Sequence, residues 1–213
     1  MRSRLVAIVL VPLVLLTIVG LDFRLTRARA ESPEPTSDAV LATATFAGGC
    51  FWCMEPPFDE IDGVTSTTSG YTAGTKDDPT YEEVSRGGTG HTEAIQVVYD
   101  PARVSYERLL EVFWRNIDPV AKNRQFCDVG DQYRSGIYYH DAEQKRLAEQ
   151  SRTSIAATAT LQAPVVTEID AASTFYPAEE YHQDYYKKNP LRYKFYRYNC
   201  GRDRRLRELW GDG

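Results

Sequence analysis

The 213 residues predict an α/β chain of the α+β kind: a two-layer sandwich of helices over a mixed sheet, built on a split β-α-β order. Three observations carry that expectation. Thr92–Tyr99 alternates strictly, Val64–Tyr71 is rich in β-branched residues, and an amphipathic helix follows the Asp100-Pro101 break. The length suits one domain with one ordinary core. No internal repeat and no glycine-rich phosphate cradle occurs. A formal net charge of −5 argues against a nucleic-acid partner, because a phosphate backbone needs clustered cations.

Taken in order, the chain opens with Arg2 and Arg4 before an apolar run, Leu5 to Leu21, and Ala28-Arg29-Ala30 supplies the small residues a signal peptidase reads. Residues 1–30 are therefore expected to be a signal peptide or a retained membrane anchor, and the protein to be exported, periplasmic or secreted. A membrane contact arises only if that segment is kept. Residues 31–41, rich in Pro, Ser and Glu, read as a flexible linker, and 42–213 as the folded domain.

The domain starts with a strand over Ala42–Phe46 that breaks at Gly48-Gly49 and delivers Cys50 to the next element. A thiol at such a junction can feel the positive end of a helix, which favours the thiolate. Pro56-Pro57 leaves two starts open for that helix, Phe51 or Pro56, and the later start weakens the dipole. The segment after Val64–Tyr71 reads as a long loop through Pro79, Gly87-Gly88 and Gly90.

In the third strand, Thr92–Tyr99, Glu93 shares a face with Ile95, Val97 and Tyr99. If that face is core, Glu93 is desolvated and stays a neutral acid at neutral pH; the alternative is a frayed end pointing to water. Ser105 is the expected N-cap of a helix carrying Leu109, Leu110, Phe113, Trp114 and Ile117. Beyond it the sequence predicts a strand over Tyr133–Tyr139 and a helix from an Asp141/Gln144 capping box to about Ala156. A strand over Pro164–Ile169 should follow, then a short helix from Tyr176-Pro177 to Asn189-Pro190. The basic run Arg202–Arg207 reads as a solvated helix face.

Four cysteines are too few to staple a chain this long, which leaves the thiols free as chemical groups. Cys50-x-x-Cys53 lacks the second close pair of a zinc site. Three readings stay open on the residues alone: a thiol-disulfide oxidoreductase using both cysteines, a Cys-His pair recruiting His91 or His182, and a binding module with a structural Cys50–Cys53 bridge.

An ordered set of motifs then carries a resemblance. Gly49-Cys50-Phe51-Trp52, Gly70-Tyr71, Pro79-Thr80-Tyr81-Glu82-Glu83-Val84, Thr89-Gly90-His91-Thr92-Glu93-Ala94, Tyr99-Asp100-Pro101, Phe113-Trp114, Asp118-Pro119, Gln132-Tyr133-Arg134-Ser135 and His182-Gln183-Asp184-Tyr185 occur between about residues 44 and 190. The set resembles the A class of peptide methionine sulfoxide reductases. The resemblance implies a ferredoxin-like core and reduction of the S epimer of methionine sulfoxide, free or in proteins and peptides. It assigns Cys50 as the nucleophile, Glu93 as the acid, and Tyr81 and Tyr133 as hydrogen-bond donors to the sulfoxide oxygen. Phe51, Trp52 and Asp128 would bind substrate. Resolving cysteines are expected in the order Cys200, carried on a mobile tail, then Cys53, then Cys127. Thioredoxin or a thioredoxin-like reductant would recycle the pair, with no metal and no organic cofactor.

Overall fold

The computed structural model describes residues 40–158 and 160–211. The expected export segment and residues 31–39 of the linker lie outside them. Regular structure starts with β1 (Ala42–Gly48), and a six-stranded sheet organises the described residues. After a single 3-10 turn over Phe51–Cys53 come α1 (Glu55–Asp59), β2 (Val64–Thr72), α2 (Tyr81–Arg86) and β3 (Thr92–Tyr99). Next are α3 (Tyr106–Arg115), a two-stranded ribbon of β4 (Arg124–Gln125) and β5 (Asp128–Val129), and β6 (Ser135–Tyr139). The chain finishes with α4 (Ala142–Ala156), β7 (Glu168–Ala171), β8 (Tyr176–Pro177), α5 (Tyr185–Lys188), α6 (Pro190–Cys200) and α7 (Arg202–Trp210).

The sheet order is β7-β6-β1-β3-β2-β8. β3 pairs antiparallel with both β1 and β2, so those two run the same way with β3 between them. This is the split β-α-β arrangement. β6 pairs antiparallel with β1, and β7 parallel with β6, which makes the sheet mixed as expected.

The core lies where α1 and α3 cover the sheet. Phe46 of β1 stacks on Phe58 of α1 at 5.3 Å and on Phe113 of α3 at 5.2 Å between ring centroids, and all three are fully buried. Each such side chain contributes roughly 1.5–3 kcal/mol through removal from water. Ser105 caps α3 by accepting from the Arg108 amide, as its sequence position predicts. Asp141 caps α4 by accepting from the Gln144 amide at 2.8 Å. The reciprocal half of that box is displaced, since Gln144 Oε1 accepts from the His140 amide instead.

Several elements differ from expectation for identifiable reasons. The long loop after β2 contains α2, started by a complete capping box between Thr80 and Glu83. Tyr133 ends a 3-10 turn, and the strand begins only at Ser135. Residues ahead of β7 bond elsewhere: the Val166 amide donates to Pro119 O, so the strand starts at Glu168. No helix opens at Tyr176-Pro177, because that pair adds to the edge of β2 opposite Tyr71 and Gly70. Gln183 then extends the edge with a side chain, its Oε1 accepting from the Ser69 amide and its Nε2 donating to Ser69 O. Asp184 follows in the left-handed region at φ 53°, which confines the helix to Tyr185–Lys188.

Candidate active site

Cys50 lies two residues beyond the end of β1, on a turn that only glycine allows. Gly49 has φ +79°, and a Cβ there would meet the Gln125 side chain at 2.5 Å. Gln125 cannot move aside readily, because its amide group clamps both the N–H and the C=O of Asp118. The turn therefore aims Cys50 inward, where it is 7 % exposed. Between the two openings considered for the next helix, the later one holds: Phe51–Cys53 is a three-residue 3-10 turn, and α1 starts at Glu55 with proline in its first turn.

A dipole from so short a turn is weak, and it does not lower the nucleophile as expected. Burial pushes the Cys50 thiol well above its ordinary value, helped by its hydrogen bond with Cys53. Cys53 is the opposite case. Hydrogen bonding from Cys50 draws it down to about 7 against the effect of burial, with Arg202 and Arg197 adding their positive charge. The two thiols thus share one proton near neutral pH, and the negative charge is held mainly at Cys53.

Glu93 takes the buried alternative, at 3 % exposure. Its Oε2 accepts from the Phe51 amide at 3.0 Å, which fixes the carboxyl beside the residue following Cys50. Burial raises it to about 8 although that hydrogen bond opposes the shift, so Glu93 is a neutral acid at pH 7. The Tyr81 and Tyr133 phenols are both raised, first by burial; charge on Glu93, Asp128 and Cys50 also acts on each. Both phenols therefore lie within electrostatic reach of Glu93, Asp128 and Cys50.

Trp52 stacks on Tyr185 at 3.7 Å between centroids, nearly parallel, and its Nε1 donates to His182 Nδ1 at 2.9 Å. That bond makes His182 a framework residue that orients the Trp52 ring. Burial lowers His182 to about 4 and keeps its ring neutral, able to accept. His91 is also structural, with Nε2 at 2.7 Å from Lys76 O. Asp128 Oδ2 accepts from Tyr196 Oη at 2.5 Å, and the Tyr196 ring meets the edge of Trp52. Tyr196 escapes the sequence reading because only the folded path of α6 brings it here. Glu179 is likewise unsignalled. Its carboxylate accepts from the Tyr81 amide at 2.8 Å and from Tyr71 Oη at 2.9 Å, setting the start of α2 and hence the Tyr81 ring.

The cysteines divide into two pairs. Cys50 and Cys53 are free, while Cys127 and Cys200 form a disulfide across 73 residues. The expectation that all four remain thiols is corrected. Cys200 is not on a mobile tail either; it is the last residue of α6 and is bonded to the turn before β5. Cys127, Asp128 and Cys200 lie within 4.8 Å of one another, but the joined sulfurs are not thiolate donors for a metal. A hollow of about 910 Å³ between α3 and α4, lined by residues such as Glu107, Arg108 and Arg146, shares no residue with the thiol site.

Residues 42–213 match the family described as peptide methionine sulfoxide reductase. The chain belongs to that family. Its similarity to the peptide methionine sulfoxide reductase MsrA of Bacillus licheniformis is 51 % identity over 168 residues, covering 79 % of this chain and 93 % of the relative. The MsrA of Listeria monocytogenes is 54 % identical over 162 residues, covering 76 % and 92 %. Among solved structures, reduced Mxr1 from Saccharomyces cerevisiae aligns with a TM-score of 0.67 at 33 % identity, over 71 % of this chain and 87 % of that one. Methionine sulfoxide reductase A of Corynebacterium diphtheriae aligns at 0.65 and 36 %, over 71 % and 76 %. The reductase is thus an A-class enzyme that reduces methionine sulfoxide to methionine, on the ferredoxin-like α+β fold that the sequence predicted.

Proposed function

We propose that the reductase acts on the S epimer of methionine sulfoxide, free or in peptides and proteins, with Cys50 as nucleophile and Glu93 as acid. The supporting observation is the neutral Glu93 carboxyl held on the Phe51 amide, one residue from Cys50. Cys53 accepts the Cys50 proton, and the Cys50 thiolate attacks the sulfoxide sulfur. As the S–O bond weakens, Glu93 protonates the oxygen while Tyr81 and Tyr133 donate hydrogen bonds to it. Phe51 and Trp52 hold the methyl group, and Asp128 the polar part of the substrate. The oxygen leaves as water, and water attacks the Cys50 sulfur as its bond to the substrate sulfur breaks, so methionine departs with the electron pair and Cys50 is left as a sulfenic acid.

Cys53 rather than Cys200 resolves that acid in this reading, since Cys53 is a free thiol against Cys50 whereas Cys200 is already bonded to Cys127. A Cys50–Cys53 disulfide and water result. A thioredoxin-like dithiol then returns two electrons by exchange. Export remains part of the proposal, on the strength of Arg2, Arg4, the apolar run and Ala28-Arg29-Ala30; sequencing the mature N-terminus after secretion tests it.

Separated S and R epimers, assayed for methionine in a single turnover, test the central claim. Cys50→Ser is expected to make none and wild type to consume only the S epimer. Equal turnover of the R epimer overturns the assignment. Vigorous reduction of insulin disulfides that ignores Glu93→Gln would point to a thiol-disulfide oxidoreductase instead.

A further inference from the structure

Arg202 stands out as a buried cation whose partners are all uncharged. It opens α7 but turns inward and is 1 % exposed, so the basic run is not wholly a solvated face as the sequence suggested. Its Nη2 donates to Asn116 O at 2.6 Å and to Gly48 O at 3.1 Å, and lies 2.9 Å from Met54 Sδ. The Phe126 ring sits 4.6 Å from the guanidinium carbon, and Nε is buried without a partner. Gly48 and Met54 bracket Cys50 and Cys53 in the chain, so the charge is delivered to the backbone turn that carries both thiols.

A buried charge lacking a counter-ion is strongly disfavoured, which raises the question of what balances this one. Arg197, the other cation acting on Cys53, is bonded to Asp203 at 2.6 Å and is largely neutralised. Arg205 is paired with Asp118. The other ionisable groups acting on Cys53 or on Arg202 are Cys50, Glu93, Asp128, Tyr193 and Tyr196. Glu93 is protonated and the tyrosines are neutral; Asp128, which accepts from Tyr196, feels the Arg202 charge but makes no hydrogen bond to it. No carboxylate among the described residues forms an ion pair with Arg202.

We propose that Arg202 is a positioning residue whose buried guanidinium, bonded only to uncharged groups, holds Cys53 as a thiolate beside the Cys50 thiol. This rests on the reading that Cys53 resolves the sulfenic acid. The charge serves two moments of the cycle. Before reaction, the Cys53 thiolate takes the Cys50 proton. After reaction Cys53 gives that proton up to solvent and, a thiolate again, attacks the Cys50 sulfenic sulfur: the S–S bond forms, the S–O bond breaks, and hydroxide leaves to be protonated by solvent. Arg202 touches neither substrate nor the breaking bond. Its effect is to place the negative charge.

With Cys127 and Cys200 bonded to each other, Cys50 and Cys53 are the free thiols, so iodoacetamide alkylation against pH with mass mapping reads this pair. Arg202→Met is expected to move the Cys53 midpoint upward by about one pH unit, which from a starting value of about 7 is roughly fivefold slower labelling at pH 7. Arg202→Lys, which keeps the charge, should restore most of it. An unchanged midpoint in Arg202→Met, or an equal shift in both variants, overturns the proposal. Should Arg202→Met not fold, the side-chain nitrogen resonances of Arg202 in wild type are expected to titrate with the Cys53 midpoint and become flat in Cys53→Ser; a flat wild-type profile overturns it. Loss of this linkage while wild type still converts methionine sulfoxide to methionine in a single turnover refutes the role of Arg202 alone. Absent methionine, by contrast, refutes the reductase steps themselves.

Discussion

The Phe51 amide donates to Glu93 Oε2 at 3.0 Å, tying the third strand of the sheet to the residue next to the nucleophile. A single bond thus fixes the distance between the reactive sulfur's turn and the acid. It also leaves the carboxyl protonated at neutral pH, since burial outweighs the amide's pull.

Glu93→Gln keeps the shape and removes the proton. Methionine formation should fall by 10²-fold or more, in the usual range for a general acid. In wild type the rate should rise as the Cys50–Cys53 pair ionises near 7 and decline above about 8 as Glu93 loses its proton; the variant should lack the alkaline decline. Stopped-quench methionine assays from pH 5.5 to 9.5 check both.

Stability should carry the same signature. The folded-state value of Glu93 lies above its ordinary 4.5, so its contribution is fully present below that value and is lost as pH rises through about 8. Glu93→Gln abolishes that loss, and above pH 8 the variant should be more stable than wild type by on the order of 1–3 kcal/mol. Urea melts at pH 5, 7 and 9 measure it.

His182 has the reverse sign. Its folded value is depressed to about 4, so its contribution is present above the ordinary 6.5 and is lost as pH falls through 4. Protonation also turns Nδ1 from acceptor to donor and breaks the bond from Trp52. Tryptophan fluorescence should change between pH 6 and 4, and a His182→Gln variant should lack that transition.

Removing the Cys127–Cys200 bridge should cost roughly 4 kcal/mol, from the loop-closure relation for a loop of 73 residues. Cys127→Ser, Cys200→Ser and the double variant should lose equal amounts, since each breaks one bond. Single-turnover methionine yield should persist in all three, whereas Cys53→Ser should accumulate a dimedone-reactive Cys50. A dimedone adduct in Cys200→Ser instead would make Cys200 the resolving thiol.

Tyr196→Phe deletes the donor to Asp128 and leaves a half-buried carboxylate short of one bond. A loss of about 1–3 kcal/mol in kcat/KM is expected. Steady-state kinetics with a peptide substrate measures it.

What the sequence disclosed follows a physical divide. Glu93 was legible because strand alternation is local: its face is set by its neighbours at even spacing, and Ile95, Val97 and Tyr99 are buried with it. Ser105 and Asp141 were legible as caps for the same reason. The helix expected from Tyr176 failed because Gln183, with a side chain, supplies the hydrogen bonds of a strand to Ser69, and no residue pattern encodes that. Arg202 looked solvated because its neighbours are charged, yet α7 turns this one position inward. The pairing of Cys127 with Cys200 depends on two segments far apart in sequence that meet only after folding.

β1 lies inside the sheet, bonded on both flanks by β3 and β6, and it leads straight to Cys50. Asp128 and Tyr196 are held differently: the segments that carry them are tied to each other by one covalent link between Cys127 and Cys200. The sulfur therefore stays where the strand puts it, while Asp128 and Tyr196 keep their places through a bond that a reductant can open.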